Sequence, residues 1–182
     1  DEQRRVLEIA QTEIGDRLPI VNGIWADGSL EAARLARMAT EGGASALLVF
    51  PPAPFTLGQS PQMAIAHFKR IAEATDLPLI VFQYPPASAA SYPISILERL
   101  ADIPGVVGVK AATGTVEAYY DIWDKLKDRI SVLAAVDSPP LRDMLLYGAH
   151  GALIGISTIT PQHWVKLLEA TEAKDTAKTD EI

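Results

Sequence analysis

The stretch Val106-Val107-Gly108-Val109-Lys110-Ala111-Ala112-Thr113-Gly114 decides the interpretation of this chain. It is an apolar run that ends on a single lysine, followed by a small-residue turn and a segment of helical pattern at 116–127. If the run is a strand, Gly108 and Lys110 share one face, because side chains alternate between faces. Burial would favour the neutral amine, which is a nucleophile able to form a Schiff base with a carbonyl compound. The alternative is a lysine that only marks where a strand meets water.

Composition narrows the class of protein. The chain has 182 residues, of which 48% are hydrophobic and 21% charged, so we expect one globular domain. The net charge of −7, without a basic cluster, argues against nucleic acid or an anionic membrane as partner. No apolar run approaches the ~20 residues of a membrane span. The chain has no cysteine, which excludes disulfides and thiolate chemistry and leaves the redox compartment open. No signal peptide is visible, and we expect a cytoplasmic protein.

Apolar runs and helical patterns alternate along the whole chain. The predicted strands are 19–24, 46–50, 79–84, 106–110, 130–135 and 151–156. The predicted helices are 1–14, 30–41, 60–75, 91–101, 116–127, 140–147 and 161–171. Asp27 or Ser29 can cap the second helix, Ser60 the third and Thr160 the last. Residues 172–182 are polar and predict a frayed end or a break after the last confident helix.

The predicted strands are nearly continuous apolar runs, which is typical of parallel strands covered on both faces. A doubly wound open sheet and a (β/α) barrel both fit. No Gly-rich phosphate loop follows a strand, which weakens the open sheet that binds a nucleotide. Small strand residues, Gly108 and Gly155, and polar groups at strand ends favour the barrel. The active site would then lie at the carboxyl ends of the strands, and residues 1–171 would form one partial barrel domain.

Several segments together resemble the dihydrodipicolinate synthase / N-acetylneuraminate lyase family of class I aldolases: 17–24, 43–52, 67–78, 80–85, 103–114 and 147–156. The most specific is 108–114, which is similar to the family's strand-six segment with its Schiff-base lysine. The resemblance implies a TIM (β/α)8 barrel, of which this chain carries helix 2 through about helix 8, with strands 3–8. Strands one and two would precede residue 1, so we expect a longer protein.

The resemblance also implies a function. Lys110 would form a Schiff base with pyruvate or another small-molecule 2-oxo acid, without a cofactor or a metal, in a homo-oligomer (dimer or tetramer). Lys110 and Tyr84 are the predicted catalytic residues. The predicted substrate-binding residues are Phe82, Gly108, Gly155 and Ile156.

Three departures from the family pattern bear on the reaction. Phe82 stands where the family has its catalytic tyrosine, and Tyr84 either supplies a phenol instead or packs at the rim. Ala87 stands where dihydrodipicolinate synthases carry an arginine for the second substrate. The loop 50–55 lacks their interface tyrosine. We therefore expect a related lyase rather than a true dihydrodipicolinate synthase; the alternatives are a non-catalytic 2-oxo-acid-binding or regulatory protein on this barrel, and a nucleotide-binding open sheet.

Other chemistry-bearing residues carry weaker signals. His67, His150 and His163 are scattered without metal-ligand spacing, and we interpret the first two as structural or exposed. Asp137 follows the fifth predicted strand, where a helix cap is the favoured interpretation over a role at the barrel mouth. Trp25, just past the first predicted strand, either contacts substrate or packs.

Overall fold

Strands and helices alternate in the computed structural model, which describes residues 2–182, so the predicted start of the first helix at Asp1 lies outside the described residues. The strands are β1 (Val21–Ile24), β2 (Ala46–Val49), β3 (Leu79–Gln83), β4 (Val106–Ala111) and β5 (Ser131–Ala134). The α-helices are α1 (Glu2–Ile14), α2 (Ser29–Glu41), α3 (Pro61–Ala72), α4 (Ile94–Leu100), α5 (Val116–Leu126), α6 (Pro140–Tyr147), α7 (Pro161–Glu172) and α8 (Thr176–Glu181). Short 3-10 turns cover Ala53–Leu57 and Ile156–Thr158.

The strands form one parallel sheet in chain order, β1-β2-β3-β4-β5. This is the order of consecutive strands in a (β/α) barrel. A doubly wound sheet instead reverses its strand order at the switch point where nucleotides bind. Because the order never reverses here, the open-sheet alternative is wrong.

The two faces of the sheet differ in burial. On the helix-covered face, apolar strand side chains such as Leu47, Val81, Val109 and Val132 are at most 1% exposed. Burying each such aliphatic side chain contributes about 1.5–3 kcal/mol. On the other face, which a closed barrel turns inward, most side chains near the carboxyl ends of the strands are only half-buried or exposed. Lys110 belongs to this inward face.

The predicted sixth strand at 151–156 is wrong. Ala152 forms only an isolated parallel bridge with Ala134, and residues from Ile156 onward form a 3-10 turn. Two backbone hydrogen bonds join this segment to β5, from the Ala134 N–H to the Gly151 carbonyl and from the Leu153 N–H to the Ala134 carbonyl. The segment has one neighbouring strand among residues 2–182, and its glycines weaken an extended conformation.

Helix starts show which caps form. Ser60 and Thr115 each accept a backbone N–H of the following helix, so the predicted Ser60 cap is confirmed. The predicted cap by Asp27 or Ser29 is wrong, because Gly28 is the N-cap and no side chain caps α2. Thr160 is the N-cap of α7 without a side-chain hydrogen bond.

The carboxyl-terminal segment contains a break. Helix α7 ends at Glu172, Lys174 takes a positive φ of 56°, and the Asp175 side chain caps α8. An ion pair of 2.6 Å between Arg142 of α6 and Asp180 joins α8 to the rest of the domain. No helix among residues 2–182 is long and apolar enough to cross a membrane.

Candidate active site

Strand β4 positions the predicted nucleophile. Its alternation buries Val109 and Ala111 completely under the helices and turns Gly108 and Lys110 to the inward face. Gly108 allows β4 and β5 to lie close together, because a Cβ at this position would lie 3.2 Å from the Ser131 carbonyl oxygen. Lys110 stands one layer nearer the carboxyl end of the strand and is half-buried.

An aromatic ring lies next to the Lys110 amine. Phe82 pairs with Lys110 across β3 and β4, and the Lys110 Nζ lies 4.8 Å from the centroid of the Phe82 ring. Phe82 in turn stacks on Phe50, with ring centroids 4.5 Å apart. Burial lowers the pKa of the Lys110 amine below its ordinary value, and the Asp137 carboxylate opposes this shift. The larger effect is burial, so the site favours the neutral amine more than water does.

Asp137 does not cap a helix, so the favoured sequence interpretation is wrong. The N-cap of α6 is Pro139, without a side-chain hydrogen bond. The Asp137 Oδ1 atom instead accepts the Ile156 N–H at 3.2 Å. Asp137 therefore joins the end of β5 to the 3-10 turn and at the same time acts on the charge of Lys110.

Gly155 and Ile156, predicted to line the site from a sixth strand, lie on this turn and are exposed. A Cβ at Gly155 would lie 3.3 Å from the Asp137 Oδ2 atom. Both residues therefore lie next to the carboxylate that influences Lys110. Their predicted contact with substrate stays a prediction.

Tyr84 follows β3 and lies next to Phe82, with ring centroids 4.8 Å apart. The Ser91 hydroxyl donates to the Tyr84 carbonyl at 3.2 Å. This hydrogen bond joins the beginning of the loop after β3 to its end. The Tyr84 ring thus lies beside the Phe82 ring that contacts Lys110.

Gln83 is a supporting residue that the sequence interpretation missed. Its buried amide donates to the Ser91 hydroxyl and to the Tyr92 carbonyl, and its carbonyl accepts the Tyr92 N–H. These three bonds, 2.8–3.0 Å long, hold the loop 84–92 against the end of β3. A lone amide inside the apolar run 79–84 was the available signal, because a buried amide requires partners.

Trp25 extends the aromatic cluster. It lies 5.3 Å from Phe50 between ring centroids and is 61% exposed. The pairing Ile24–Val49 and Val49–Val81 aligns Trp25, Phe50 and Phe82 as neighbours one position further along their strands. Trp25 therefore lies at the outer end of an aromatic row that leads to Lys110.

The histidines lie outside this cluster. His67 is 2% exposed, shares a 3.0 Å hydrogen bond with the Ser29 hydroxyl, and has its pKa lowered to about 4 by burial. The His150 Nδ1 atom accepts the Val132 N–H, so it satisfies the backbone of β5. Within residues 2–182, no three His, Asp or Glu side chains converge as metal ligands would.

The parallel strands follow one another in chain order, and a lysine lies on the inward face near the carboxyl end of one of them. This is the arrangement of a (β/α) barrel protein that carries its functional lysine at the carboxyl ends of the strands. The sequence profile of the Dihydrodipicolinate synthetase family matches residues 1–182. The chain belongs to this family, which confirms the resemblance and the partial barrel.

Individual relatives agree with this assignment. The 4-hydroxy-tetrahydrodipicolinate synthase of Nitrosomonas europaea is 31% identical over 182 residues, which are 100% of this chain and 61% of that protein. The chloride-inhibited dihydrodipicolinate synthase of Acinetobacter baumannii, crystallised with pyruvate, matches with a TM-score of 0.89 at 29% identity, over 99% of this chain and 61% of that one. The dihydrodipicolinate synthase of Aquifex aeolicus matches with a TM-score of 0.88 at 25% identity, over 99% of this chain and 61% of the Aquifex chain. The chain thus spans about three fifths of the length of these relatives.

Proposed function

We propose that the protein is a class I lyase or aldolase in which Lys110 forms a Schiff base with pyruvate or another 2-oxo acid. The observation that carries the proposal is the half-buried Lys110 amine, whose pKa burial lowers, beside the Phe82 ring on the inward face. The A. baumannii relative is a pyruvate complex, which supports a 2-oxo acid as the ligand class.

The proposed reaction begins when the neutral Lys110 amine attacks the ketone carbon. Loss of water gives an iminium, and loss of a proton from the adjacent carbon gives an enamine. The enamine carbon then bonds to the carbonyl carbon of an aldehyde, whose oxygen takes up a proton. Hydrolysis of the new iminium consumes the released water and frees Lys110 with a 4-hydroxy-2-oxo acid. The reverse sequence cleaves the same bond.

A proton carrier is needed at each of these steps, and Phe82 has no hydroxyl. Tyr84 is the nearest phenol along this strand, and its ring lies beside the Phe82 ring. We assign it the proton transfers, which are typically worth ~10²–10⁴ in rate. Gly108, beneath Lys110, and Gly155 with Ile156, beside Asp137, complete the proposed substrate contacts.

The proposal excludes the reaction named for the relatives. Ala87 is exposed on the loop after β3 and offers no cation, whereas the resemblance places a substrate-binding arginine here. We therefore propose a different second substrate from that of a true dihydrodipicolinate synthase. A homo-oligomer in the cytoplasm is part of the same proposal.

A second candidate function is binding of a 2-oxo acid without turnover. The absence of a hydroxyl on Phe82 favours it, since the amine would then trap a ligand without efficient proton transfer. Trapping of pyruvate together with no C–C bond cleavage or formation across a panel of sugar acids and aldehydes would select this candidate.

Borohydride reduction in the presence of pyruvate, read by intact-mass spectrometry and peptide mapping, tests the proposal. We expect one reduced adduct on Lys110, lost in Lys110→Ala and kept in Lys166→Ala, which removes an exposed lysine of α7. No adduct, or an adduct that persists in Lys110→Ala, would contradict the proposed function.

A further inference from the structure

A row of three aromatic rings leads from Trp25 to the Lys110 amine. The ring centroids of Trp25 and Phe50 are 5.3 Å apart, and those of Phe50 and Phe82 are 4.5 Å apart. The Lys110 Nζ atom lies 4.8 Å from the centroid of the Phe82 ring. Trp25 and Phe50 directly follow β1 and β2, and Phe82 lies in β3, so the three rings occupy neighbouring positions across the sheet. They offer aromatic surfaces spaced as in ordinary ring-to-ring contacts.

Within residues 2–182, the row formed by Trp25, Phe50 and Phe82 is apolar and partly exposed. Trp25 is 61% exposed, while Phe50 and Phe82 are only half-buried. On the opposite face the strand residues that alternate with them, Ile24, Val49 and Val81, are at most 1% exposed. The rings are therefore not needed to complete the helix-covered core, and a ligand on this face would bury them further.

The charged residues near the carboxyl ends of the strands disfavour an anionic group on the part of a substrate that lies away from the Lys110 amine. The loops that follow the strands are 25–28, 50–60, 84–93, 112–115 and 135–139, and none contains a lysine or an arginine. Their charged residues are Asp27 and Asp137, both acidic. Among the strands β1–β5 and the loops that follow them, Lys110 is thus the one cation, and it is consumed as the nucleophile in the proposed reaction.

Hydrogen bonds join the two loops that form the rim beside the row. The Gln59 side chain, at the end of the loop after β2, donates to the Ala89 and Ser91 carbonyls in the loop after β3. Prolines at 51, 52 and 54 and at 85 and 86 restrict the backbone of the same two loops. A preorganised apolar rim binds a rigid planar group with little loss of entropy.

We propose that the second substrate is an aldehyde bearing an uncharged aromatic ring, which stacks on the row formed by Trp25, Phe50 and Phe82. This inference rests on the proposed Schiff-base function and specifies its substrate. The enamine on Lys110 bonds to the aldehyde carbon, the aldehyde oxygen takes a proton, and hydrolysis releases a 4-aryl-4-hydroxy-2-oxo acid.

The test measures pyruvate consumption with three aldehydes: benzaldehyde, glyceraldehyde, and succinic semialdehyde, which carries a carboxylate. We expect kcat/KM for benzaldehyde to exceed both others by about tenfold or more, the value of one good aromatic contact. Trp25→Ala should lower kcat/KM for benzaldehyde by about tenfold, and Trp25→Phe should retain most of it. Leu57→Ala, which removes a side chain 92% exposed on the same rim, should change nothing.

Borohydride trapping of pyruvate, run on each variant, separates the two levels of the proposal. Normal trapping with no preference for benzaldehyde, or with no loss in Trp25→Ala, overturns the aromatic substrate and leaves the Schiff base. Absent trapping in the unmodified protein overturns the proposed function and the aromatic substrate with it. Because Trp25 is largely exposed, its substitution does not remove core packing, and Trp25→Phe checks that the ring itself matters.

Discussion

The Nζ atom of Lys110 lies 4.8 Å from the centroid of the Phe82 ring, and the two residues pair directly across β3 and β4. An aromatic face attracts an ammonium by about 0.5–1 kcal/mol at exposed sites. Burial acts in the opposite direction and lowers the pKa of Lys110, while Asp137 raises it. The protonation of the amine is therefore a balance among an aromatic ring, a carboxylate and burial.

Replacing Phe82 by leucine tests how much the aromatic ring contributes to the pKa of Lys110. Phe82→Leu keeps an apolar side chain but removes the negative face of the ring, so the pKa of Lys110 should fall. The pH midpoint of pyruvate trapping by borohydride reports this change. Phe82→Tyr, which keeps a ring face, should leave the midpoint near its original value. A midpoint that rises in Phe82→Leu would contradict the prediction.

Asp137 should raise the pH midpoint of pyruvate trapping, because its carboxylate raises the pKa of Lys110. In Asp137→Asn the opposing charge is gone while an oxygen remains to accept the Ile156 N–H, so the pKa of Lys110 should fall and trapping should extend to lower pH. The difference in pH midpoint between the unmodified protein and Asp137→Asn should shrink at high salt, because the site is partly exposed. Asp27→Asn removes an acidic residue from another loop and serves as the control. Equal shifts in both variants would show a general charge effect instead.

Tyr84 is expected to act in proton transfer rather than in Schiff-base formation. Tyr84→Phe should lower kcat about 100-fold, within the usual range for a lost acid–base group, with little effect on KM for pyruvate. Steady-state kinetics and trapping on the same preparation measure the two effects. Tyr120→Phe, on α5, is the matched control. Full turnover in Tyr84→Phe would assign the proton transfers to another group.

Gln83 should stabilise the domain through the loop after β3. Gln83→Leu leaves the Tyr92 N–H and C=O without their partner and removes one of the two hydrogen bonds of the Ser91 hydroxyl, at an expected loss of about 2–4 kcal/mol in the free energy of unfolding. Urea denaturation measures this loss. Gln162→Leu, at an exposed position of α7, should stay within about 0.5 kcal/mol. A similar small effect in Gln83→Leu would contradict the assigned role.

His67 should make stability depend on pH. Its pKa is about 4 in the folded protein and 6.5 ordinarily, so the unfolded chain binds more protons between these values. The stabilisation is therefore complete above 6.5 and is lost as the pH falls toward 4. Between about pH 7.5 and about pH 5, this amounts to about 2 kcal/mol.

Urea unfolding at the two pH values checks the His67 prediction. His67→Gln keeps a group that can pair with the Ser29 hydroxyl but does not titrate, so this share of the pH dependence should disappear. His163→Gln, at an exposed site, is the control. An unchanged pH dependence in His67→Gln would rule out His67 as its source.

The sequence by itself determined the alternating units, the family and the face of Lys110. Alternation within 106–111 is a local property, because neighbouring residues of any strand point to opposite faces. The structural roles of His67 and His150 likewise followed from their lack of a metal-ligand pattern. These inferences needed no knowledge of which strands become neighbours.

Only the tertiary structure decided what surrounds the amine. Trp25, Phe50 and Phe82 are far apart in the chain, and the register between parallel strands brings their rings together. The same holds for Asp137, which bonds to the Ile156 N–H across a helix instead of capping one. The predicted sixth strand pairs with β5 only at an isolated bridge between Ala134 and Ala152, and no local pattern specifies how far two distant segments pair. Pairing between distant segments is a long-range choice, so the neighbours of Lys110 could not be obtained from the pattern around it.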